Sequence, residues 1–528
     1  MSTHRRKQIE IAGIFAALLA VLGGFIIVRH HDGAGRNPNP TSMTLASLPE
    51  EAISTAELTD GSTVRRLAAV LDKSQLPVKS ITEIADRHGL DAAFAKIREF
   101  HQRTPEQPVL PHGLSRTSPD KVIAAADGII AGGWRFGKRE AYPVETPIDW
   151  AADPYHDRGW RMWLNAWRVL EPVLAAYDET KERRYLEFAN EIALDWVDQH
   201  IFAECENPYA WYDMAIGRRA LFLGKLIDAN LRNNVLAHER ILDLFVAARR
   251  HALELHDEEK IVWHSNHGIY QLVGLLSLAK SAPELKGARE FERFAKQGLR
   301  KLLGQHFTDE GIHREHSPFY HVALINTVGL LVEHGLIDDK ETLDLFRRAS
   351  RNIVWLSHPN GYLVRNGDGD QTLAADRIID ADDPQLRYLI SEGEKGTPPT
   401  ENYRIFHESG YAVFRGPWDY RPWNETPFLF FSAAFHSRTH KHADDFTFEW
   451  SELGRTLLID GGRYTYKYDH PSRQYVESTR AHNTVEIDGR DFSRYNQDAF
   501  GSAIVDGGES GGAFFVEAQL HRKRFFDT

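Results

Sequence analysis

The chain has 528 residues, a length that predicts about two to four domains. Hydrophobic residues make up 42% and charged residues 26%, which excludes a disordered or collagen-like chain. The 63 basic and 75 acidic side chains leave a formal charge of −12, which argues against non-specific binding to nucleic acid. At first sight this charge also argues against a polyanionic partner. The single cysteine, Cys205, excludes an intrachain disulfide.

The N-terminus carries the pattern of a membrane anchor. Three basic residues at 5–7 precede an uncharged run of 18 residues at 11–28, close to the length that spans a bilayer. The basic flank predicts a cytoplasmic N-terminus and an extracytoplasmic, periplasmic catalytic region. A cleaved signal peptide, giving a secreted protein, is the alternative, and a buried core helix is a third. Because the run lacks a small-residue cleavage site, we expect an anchor at 1–31 and a flexible tether at 32–53.

Apolar residues at helical spacing dominate the middle of the chain. After a weakly helical region at 54–140, residues 160–174 place their tryptophans on one face of a single predicted helix, and another helix follows at 185–196. Two helices with a short connection form an antiparallel hairpin. Further helices are predicted near 215–231, 237–255, 268–280, 288–303, 318–333 and 340–356. Serial helical hairpins over 141–400 predict an (α/α) toroid or solenoid.

The hydrophobic period changes to two in the last part of the chain. A break rich in Gly and Pro at 393–400 precedes alternating aromatic residues at 446–450 and 464–468, and Asp488-Gly489 is typical of a hairpin turn. We therefore expect an antiparallel β-domain at 401–528. About 125 residues follow its predicted start near residue 403, so we expect this domain to be incomplete at the C-terminus.

A cluster of histidines and carboxylates lies within the predicted strands. In a strand, His440, His442 and Asp444 would share one face, and Asp460 and His482 follow at later strand ends. Two imidazoles and one carboxylate suit Zn²⁺ with a water as the fourth ligand. Polar residues that only form hydrogen bonds at strand ends would give the same pattern, and spacing alone leaves both interpretations open.

A second group of polar residues opens two predicted helices. Asn266 and His267 begin one of them, and Glu315, Ser317 and Tyr320 lie at the start of another. The helix starts of a toroid line its central cleft, so an amide, an imidazole and a phenol would converge there. The alternative is that Asn266 and Ser317 only cap their helices and that Tyr320 is a core aromatic residue.

Two weaker patterns have mainly structural interpretations. The Gly- and Asp-rich run at 365–370 resembles a Ca²⁺ loop, but Ile379 occupies the twelfth position from Asp368, where an acidic ligand belongs. We expect a structured turn there. Trp211 and Arg218 would supply a stacking surface and a carboxylate contact for a sugar, or would equally pack in the core.

Taken in order, these motifs resemble the heparinase II/III family of polysaccharide lyases, which includes oligoalginate lyases. The resemblance runs from about Tyr142 to the C-terminus. Its matching parts are Asn266-His267, Glu315-x-Ser317-Pro318-x-Tyr320, His440-x-His442-x-Asp444, Asp460-Gly461-Gly462 and the run at 478–485. The resemblance implies an α+β chain in which an (α/α) toroid precedes an antiparallel β-sandwich.

The resemblance also implies β-elimination at a uronic acid in an acidic polysaccharide. By similarity, Asn266 and His440 would hold the sugar carboxylate so that the developing charge is tolerated. His267 would act as the general base, and Tyr320 as the general acid at O4 or as the base in a syn reaction. The configuration of the sugar at C5 decides between these roles.

Further site residues follow from the resemblance. In this family Zn²⁺ is held in the sandwich, here by His442, Asp460 and His482, and would order the wall that carries His440. We also expect the substrate to contact Tyr468 in addition to Glu315, Trp211 and Arg218. Because a cleft can be positive on a negative protein, Arg218, Arg219 and Arg314 are expected to form a positive face with the site histidines.

Two other functions fit part of the sequence. A glycoside hydrolase on an (α/α) toroid needs two facing carboxylic acids, for which Glu315 and Asp213 are candidates, and would release saturated products. A non-catalytic polysaccharide-binding or exopolysaccharide assembly factor would keep its full biological activity after loss of Asn266, His267 or Tyr320. The partners expected are an acidic polysaccharide and, through the N-terminal helix, a membrane, with no nucleic acid.

Overall fold

The structure is a computed structural model that describes residues 62–103, 118–203, 205–376 and 383–520. The predicted membrane helix at 11–28 and the tether at 32–53 lie outside these ranges. Within them, no helix combines the length and the apolar character needed to cross a bilayer.

The described chain divides into two compact units. The helical unit comprises residues 62–302 and 334–337, and the sheet unit comprises residues 303–333 and 338–520. The elements that begin in the helical unit are α1 (Thr63–Val70), α2 (Val78–His88), α3 (Leu90–Gln102), α4 (Pro119–Gly132), β1 (Trp134–Arg135), β2 (Ala141–Tyr142), α5 (Arg158–Asn165), α6 (Leu170–Thr180), α7 (Arg183–Val197), α8 (Asp213–Asn233), α9 (His238–His256), α10 (Asn266–Ser281) and α11 (Ala288–His306).

Helices α8 and α10 lie side by side and run in the same direction, with α9 between them in the chain. Their starts meet at Asp213 and His267, and their backbones come close at Gly217 and Gly274. A Cβ at Gly274 would lie 1.9 Å from the carbonyl oxygen of Gly217, so only glycine permits this approach. The packing brings the first turns of both helices to the same end of the unit.

The first predicted helix is interrupted in the structure. Asp157 caps the start of α5 by accepting backbone hydrogen bonds, and α5 already ends at Asn165. Trp167 then has a φ of 56°, a left-handed conformation that no α-helix contains, before α6 begins at Leu170. The prediction of one continuous helix over 160–174 is therefore wrong. The apolar periodicity survives because Trp160 in α5, Trp167 in the break, and Leu170 and Leu174 in α6 are all buried.

The sheet unit contains helices followed by short antiparallel sheets. Its elements are α12 (Pro318–Glu333), α13 (Lys340–Asn352), α14 (Pro384–Ile390), β3 (Tyr403–Phe406), β4 (Tyr411–Arg415), β5 (Phe428–Ser432), β6 (Ala434–Phe435), β7 (Thr447–Glu452), β8 (Arg455–Leu458), α15 (Pro471–Glu477), β9 (Gly501–Ser502), β10 (Ile504–Ser510) and β11 (Ala513–Ala518). Strands β3, β4, β5, β7 and β8 form one antiparallel sheet in that order, while β6 pairs with β9 and β10 with β11.

One face of the five-stranded sheet packs on the β10–β11 hairpin. Ala412, Phe414 and Phe431 from the sheet form a buried core with Ile504 and Val516 from the hairpin. This face-to-face packing is that of a β-sandwich. The core explains why aromatic and polar residues alternate along β7. Phe448 packs against the core, and its neighbours in the strand point to the opposite face of the sheet.

The opposite face of β7 carries buried polar residues that hold another segment. Glu449 is fully buried and accepts hydrogen bonds at 2.8 Å from Nε2 of His358 and from the backbone N–H of Arg365. Ser451 contacts Nδ1 of the same histidine at 2.8 Å. These bonds fix the chain around residues 358–365 against the sheet, directly before the Gly- and Asp-rich turn.

Two predicted strands are irregular in the structure. The His440–Asp444 motif lies in a loop, where His440 has a φ of 55°, and the strand begins only at Thr447. The tyrosines at 464–468 also lack strand pairing and are exposed, because β8 ends at Leu458. The predicted hairpin turn is confirmed, since Asp488 and Gly489 have φ values of 55° and 67°.

Candidate functional site

Asp368 is the centre of a buried polar network in the sheet unit. Its Oδ2 accepts a hydrogen bond from Nδ1 of His440 at 2.8 Å, and its Oδ1 accepts one from Nε2 of His442 at 3.0 Å. Arg473 forms an ion pair with the same Oδ1. Burial opposes the charge, but the donors from both histidines and Arg473 hold the pKa of Asp368 far below its usual range. An ionised Asp368 therefore fixes which nitrogen of each ring carries hydrogen.

The turn that carries Asp368 is held by backbone contacts, as the prediction of a structured turn requires. Asn366 donates from Nδ2 to the carbonyl oxygen of His316 at 2.7 Å, and the N–H of Asp368 donates to the carbonyl oxygen of His440 at 3.3 Å. Gly367 has a φ of 61°, and a Cβ there would lie 2.6 Å from the His440 carbonyl oxygen. Glycine thus allows the turn to approach the histidine loop closely.

Tyr320 lies against the histidine that Asp368 orients. The rings of Tyr320 and His440 are stacked, with centroids 3.7 Å apart and planes at 12°. The hydroxyl of Tyr320 forms a hydrogen bond with the hydroxyl of Tyr466. Desolvation and then the neighbouring phenol raise the pKa of Tyr320 well above its ordinary value. Desolvation of the hydroxyl and the charge of Asp368 raise the pKa of Tyr466 to about 12, although its ring is partly open to solvent. Both phenols are therefore protonated at neutral pH and available as proton donors.

The three predicted zinc ligands, His442, Asp460 and His482, come together as a buried group, here called the zinc trio. One ligand atom from each residue lies within 4.8 Å of the other two. Nδ1 of His482 donates to Asp460 at 2.6 Å, and Asp368 accepts from Nε2 of His442, which leaves the opposite nitrogen of each ring for a ligand. Those two nitrogens have no hydrogen-bond partner among the described residues. The donor set thus fits Zn²⁺, with Asp368 as the carboxylate behind one histidine.

Asp444, the remaining member of the histidine motif, is not part of the zinc trio. It is buried and forms an ion pair with Lys441, which also pairs with Asp445 at 3.1 Å. The prediction that Asp444 shares a face with His440 and His442 assumed that the motif forms a strand. In the loop, the motif separates into a structural ion pair and two histidines that bind Asp368.

Asn266 and His267 occupy the first turn of α10 in the helical unit. Ser265 caps this helix by accepting the N–H of His267, so Asn266 is not the cap. Nδ1 of His267 lies 3.1 and 3.2 Å from the two carboxylate oxygens of Asp213 at the start of α8. Burial raises the pKa of Asp213, but His267 outweighs it and the pKa stays below its ordinary value. Asp213 therefore accepts Nδ1–H and leaves Nε2 as the basic nitrogen.

The other capping alternative also fails in the sheet unit. The hydroxyl of Ser317 is buried without a hydrogen-bond partner among the described residues, although α12 begins at Pro318 as predicted. Tyr320 is not a plain core residue either, because its hydroxyl reaches Tyr466.

The four residues expected to contact substrate differ widely in exposure. Tyr468 is 60% exposed, whereas Glu315 is 2% and Arg218 is 4% exposed. Arg218 lies over the ring of Trp163 and 3.4 Å from Glu171, and Trp211 packs against Trp196. Burial in these contacts argues for a structural role of Arg218 and leaves Tyr468 as the one of the four that is mostly open to solvent.

The expected positive face is wrong for two of its three arginines. Arg218 and Arg219 are buried, and the guanidinium of Arg219 donates to backbone carbonyl oxygens and to His251. Arg314 is partly exposed but pairs with Glu408 at 2.7 Å. The adjacent positions of Arg218 and Arg219 in the sequence suggested an exposed basic pair. Both residues instead lie on α8, a helix that is buried on all sides.

Asp368, Arg473 and Tyr466 belong to the network but were not predicted as site residues. Asp368 lay in the run at 365–370, whose density of Gly and Asp was a signal of a tight, charged turn. Tyr466 stood in the alternating tyrosines and Arg473 in a short helix, α15. Nothing in their local sequence indicates that they meet His440.

The C-terminal and N-terminal parts of the chain both match family models. "Heparinase II/III N-terminus" matches residues 69–341, and "Heparinase II/III-like, C-terminal" matches residues 398–518. A heparin-sulfate lyase from Pedobacter heparinus is 21% identical over 380 residues, which cover 65% of this chain and 54% of that protein. One from Bacteroides stercoris is 20% identical over 393 residues, covering 68% and 58%. The chain thus spans little more than half the length of these relatives.

Solved structures share the fold at low sequence identity. A heparinase III structure superposes with a TM-score of 0.67 at 17% identity, covering 84% of this chain and 74% of that one. Heparan sulfate lyase HepC from Pedobacter heparinus gives a TM-score of 0.62 at 17% identity, covering 85% and 73%. This confirms the predicted fold class, an (α/α) toroid followed by an antiparallel β-sandwich. Since the N-terminal model alone matches half of the sequence and the C-terminal model follows it in order, the chain belongs to the heparinase II/III family.

Proposed function

We propose that the protein is a polysaccharide lyase that cleaves an acidic, uronic-acid-containing polysaccharide by β-elimination. Family membership and the names of its relatives, heparin-sulfate lyases, support this class of enzyme and substrate. The observation that carries the proposal is the stacked pair of Tyr320 and His440. In that pair a protonated phenol lies against an imidazole whose orientation is fixed by the buried carboxylate of Asp368.

The first requirement of the reaction is a neutralised sugar carboxylate. The C5 proton becomes acidic enough to leave only when the charge that develops on the neighbouring carboxylate is stabilised. We assign this role to Asn266, through its side-chain amide, and to His440, which in its protonated form donates from Nε2. Asp368 accepts the other N–H of His440 and keeps the ring in place for that contact.

The second requirement is a matched pair of proton transfers. Nε2 of His267, whose ring is oriented by Asp213, takes the proton from C5, and the C–H electrons form the C4–C5 double bond. The C4–O4 bond breaks with its electron pair on O4, which receives a proton from the hydroxyl of Tyr320. The raised pKa of Tyr320 favours the acid role over the alternative in which it is also the base of a syn elimination.

The zinc trio is assigned a structural role in this proposal. Zn²⁺ there would fix the loop that carries His442, and Asp368 connects that histidine to His440 through its two carboxylate oxygens. The ion would supply charge and rigid geometry beneath the site rather than contact the sugar. The residues that act on substrate remain His267, His440, Asn266 and Tyr320.

Product analysis tests the proposed reaction directly. The purified chain is incubated with alginate, heparan sulfate, hyaluronan and glucuronan, and the ultraviolet absorbance of the new C4–C5 double bond is followed. We expect a rise with at least one polymer. Tyr320→Phe should lower kcat by about 10³-fold or more while substrate binding is retained, because it removes the proton donor at O4.

The matched control is Tyr420→Phe, which removes the hydroxyl of an exposed tyrosine in the same unit and should leave the rate unchanged. Saturated products would instead indicate the glycoside hydrolase alternative. No product from any polymer, with metal-replete protein that binds one of them, would favour the non-catalytic binding factor and contradict the proposal.

A further inference from the structure

A second group of metal-type donors lies in the sheet unit, outside the zinc trio. His306, His313 and Glu315 are all buried, and one ligand atom from each lies within 4.8 Å of the other two. We propose that these three residues, here called the second trio, bind a divalent transition-metal ion of the zinc class. This assignment shares no residue with the zinc trio and does not depend on the proposed lyase reaction.

Two distances within the second trio are close to the separation between ligands of one metal ion. Oε1 of Glu315 lies 3.5 Å from Nδ1 of His306, and its Oε2 lies 3.8 Å from Nε2 of His313. Tetrahedral ligands at about 2.0–2.1 Å from Zn²⁺ lie about 3.3–3.4 Å from one another. Both pairs are therefore too far apart for a strong hydrogen bond, and each exceeds the ligand separation at Zn²⁺ by only a few tenths of an ångström.

Unsatisfied polar atoms give an independent reason for a ligand at this position. Neither carboxylate oxygen of Glu315 and neither ring nitrogen of His313 has a hydrogen-bond partner among the described residues. Each residue is 2% exposed. A buried carboxylate without donors costs several kcal/mol, and the protonated acid would lack an acceptor for its O–H. A cation satisfies the carboxylate and the imidazole together.

The backbone holds these donors in a short, rigid hairpin. His306 ends α11, and its carbonyl oxygen accepts the N–H of Arg314 at 2.8 Å, while Phe307 forms an antiparallel bridge with His313. The turn between them places both rings on the same side, stacked with centroids 5.8 Å apart. Two imidazoles with one carboxylate select Zn²⁺ and its neighbours in the first transition row over Ca²⁺ or Mg²⁺, which prefer oxygen ligands.

One member of the second trio, Glu315, also lies close to the candidate catalytic residue His440. Oε2 of Glu315 lies 3.6 Å from Nε2 of His440, so an ion that fixes the carboxylate would also limit movement of that ring. Glu315 then acts as a metal ligand and a positioning residue, which accounts for its burial better than the substrate contact expected from the sequence.

Metal stoichiometry tests the proposal without any activity measurement. The full chain is produced with Zn²⁺, dialysed, and its zinc per chain determined by mass spectrometry. We expect two equivalents in the unmodified chain, and one in Glu315→Gln, in His313→Gln and in the double variant His442→Ala/His482→Ala. Glu408→Gln, a partly exposed carboxylate that pairs with Arg314, is the control and should keep two.

The double variant keeps the test decisive even if substitutions in the second trio prevent folding. One equivalent of zinc retained by that variant supports the proposal. Replacing this zinc with Co²⁺ should then give the visible absorption of a Co²⁺ ion bound by nitrogen and oxygen donors, which supports it as well. The proposal would be overturned if the unmodified chain held a single equivalent of zinc and the double variant held none. An unmodified chain with no bound metal would also overturn it. A single equivalent lost only in Glu315→Gln would support it and count against the zinc trio.

Discussion

At the scale of single residues, Asp368 connects three parts of the sheet unit through one buried carboxylate. Two imidazole N–H groups and one guanidinium converge on its two oxygens. An ionised carboxylate accepts hydrogen bonds at both oxygens, whereas an amide of the same shape accepts at one end and donates at the other. The charge of Asp368, more than its size, therefore determines the tautomers of His440 and His442.

This leads to a prediction for Asp368→Asn. The variant should bind zinc about 10–100-fold more weakly at the zinc trio, because His442 loses the carboxylate that fixes its ring. If the lyase proposal holds, kcat should fall more than KM rises, since His440 is misoriented rather than removed. Zinc affinity is measured by competition with a coloured chelator, and kcat by ultraviolet absorbance.

The matched control is Asp370→Asn, two residues further along the same turn. Its partly exposed carboxylate pairs with Arg463 and contacts neither histidine, so zinc affinity should change by less than about two-fold. Equal losses in both variants would mean that the turn as a whole, and not the charge of Asp368, matters.

At the scale of elements, the contact between α8 and α10 depends on two glycines. An added Cβ at Gly274 would lie 1.9 Å from the Gly217 carbonyl oxygen, a backbone atom that cannot rotate away. We expect Gly274→Ala to lower the free energy of unfolding of the helical unit by at least about 2 kcal/mol, despite the better helix propensity of alanine. Chemical denaturation followed by circular dichroism measures the loss.

Gly128→Ala provides the contrast, because Gly128 lies within α4 and an added Cβ would meet no atom within 4 Å. That variant should be neutral or more stable by up to about 1 kcal/mol. If Gly274→Ala proved equally harmless, the two helices would have to be further apart than the structure has them.

The elements also differ in how far their sequence determined them. Helix α12 begins at Pro318 and ends at Glu333, as Pro318 at the first helical position and the apolar period predict, because both are local signals. The break at Trp167 was missed, since both flanking helices bury the same apolar stripe. The sequence indicated the three members of the zinc trio. It did not indicate that Asp368 links one of them, His442, to His440. Asp368 reaches partners 72 and 105 residues away, and no local pattern encodes such contacts.

At the scale of the whole molecule, the formal charge of −12 must be reconciled with the proposed acidic substrate. Two arginines of the site network do little to offset it, because each is already paired with carboxylates. Arg473 pairs with Asp368 and Glu477, and Arg463 pairs with Asp370. A polyanion that approaches from a distance therefore meets net repulsion, while the short contacts within the site act only once it has arrived.

Salt should separate these two effects. The Debye length falls from about 30 Å at 0.01 M to about 10 Å at 0.1 M, which screens the distant charges and leaves hydrogen-bonded contacts nearly intact. We expect kcat/KM on a long acidic polymer to rise about two- to five-fold over that range, because association is the step that repulsion slows. A tetrasaccharide of the same polymer should show a smaller rise, since it carries fewer charges outside the site. A steady fall in kcat/KM from the lowest salt concentration would mean instead that unpaired cations near the site dominate the encounter and that the net charge is irrelevant to it.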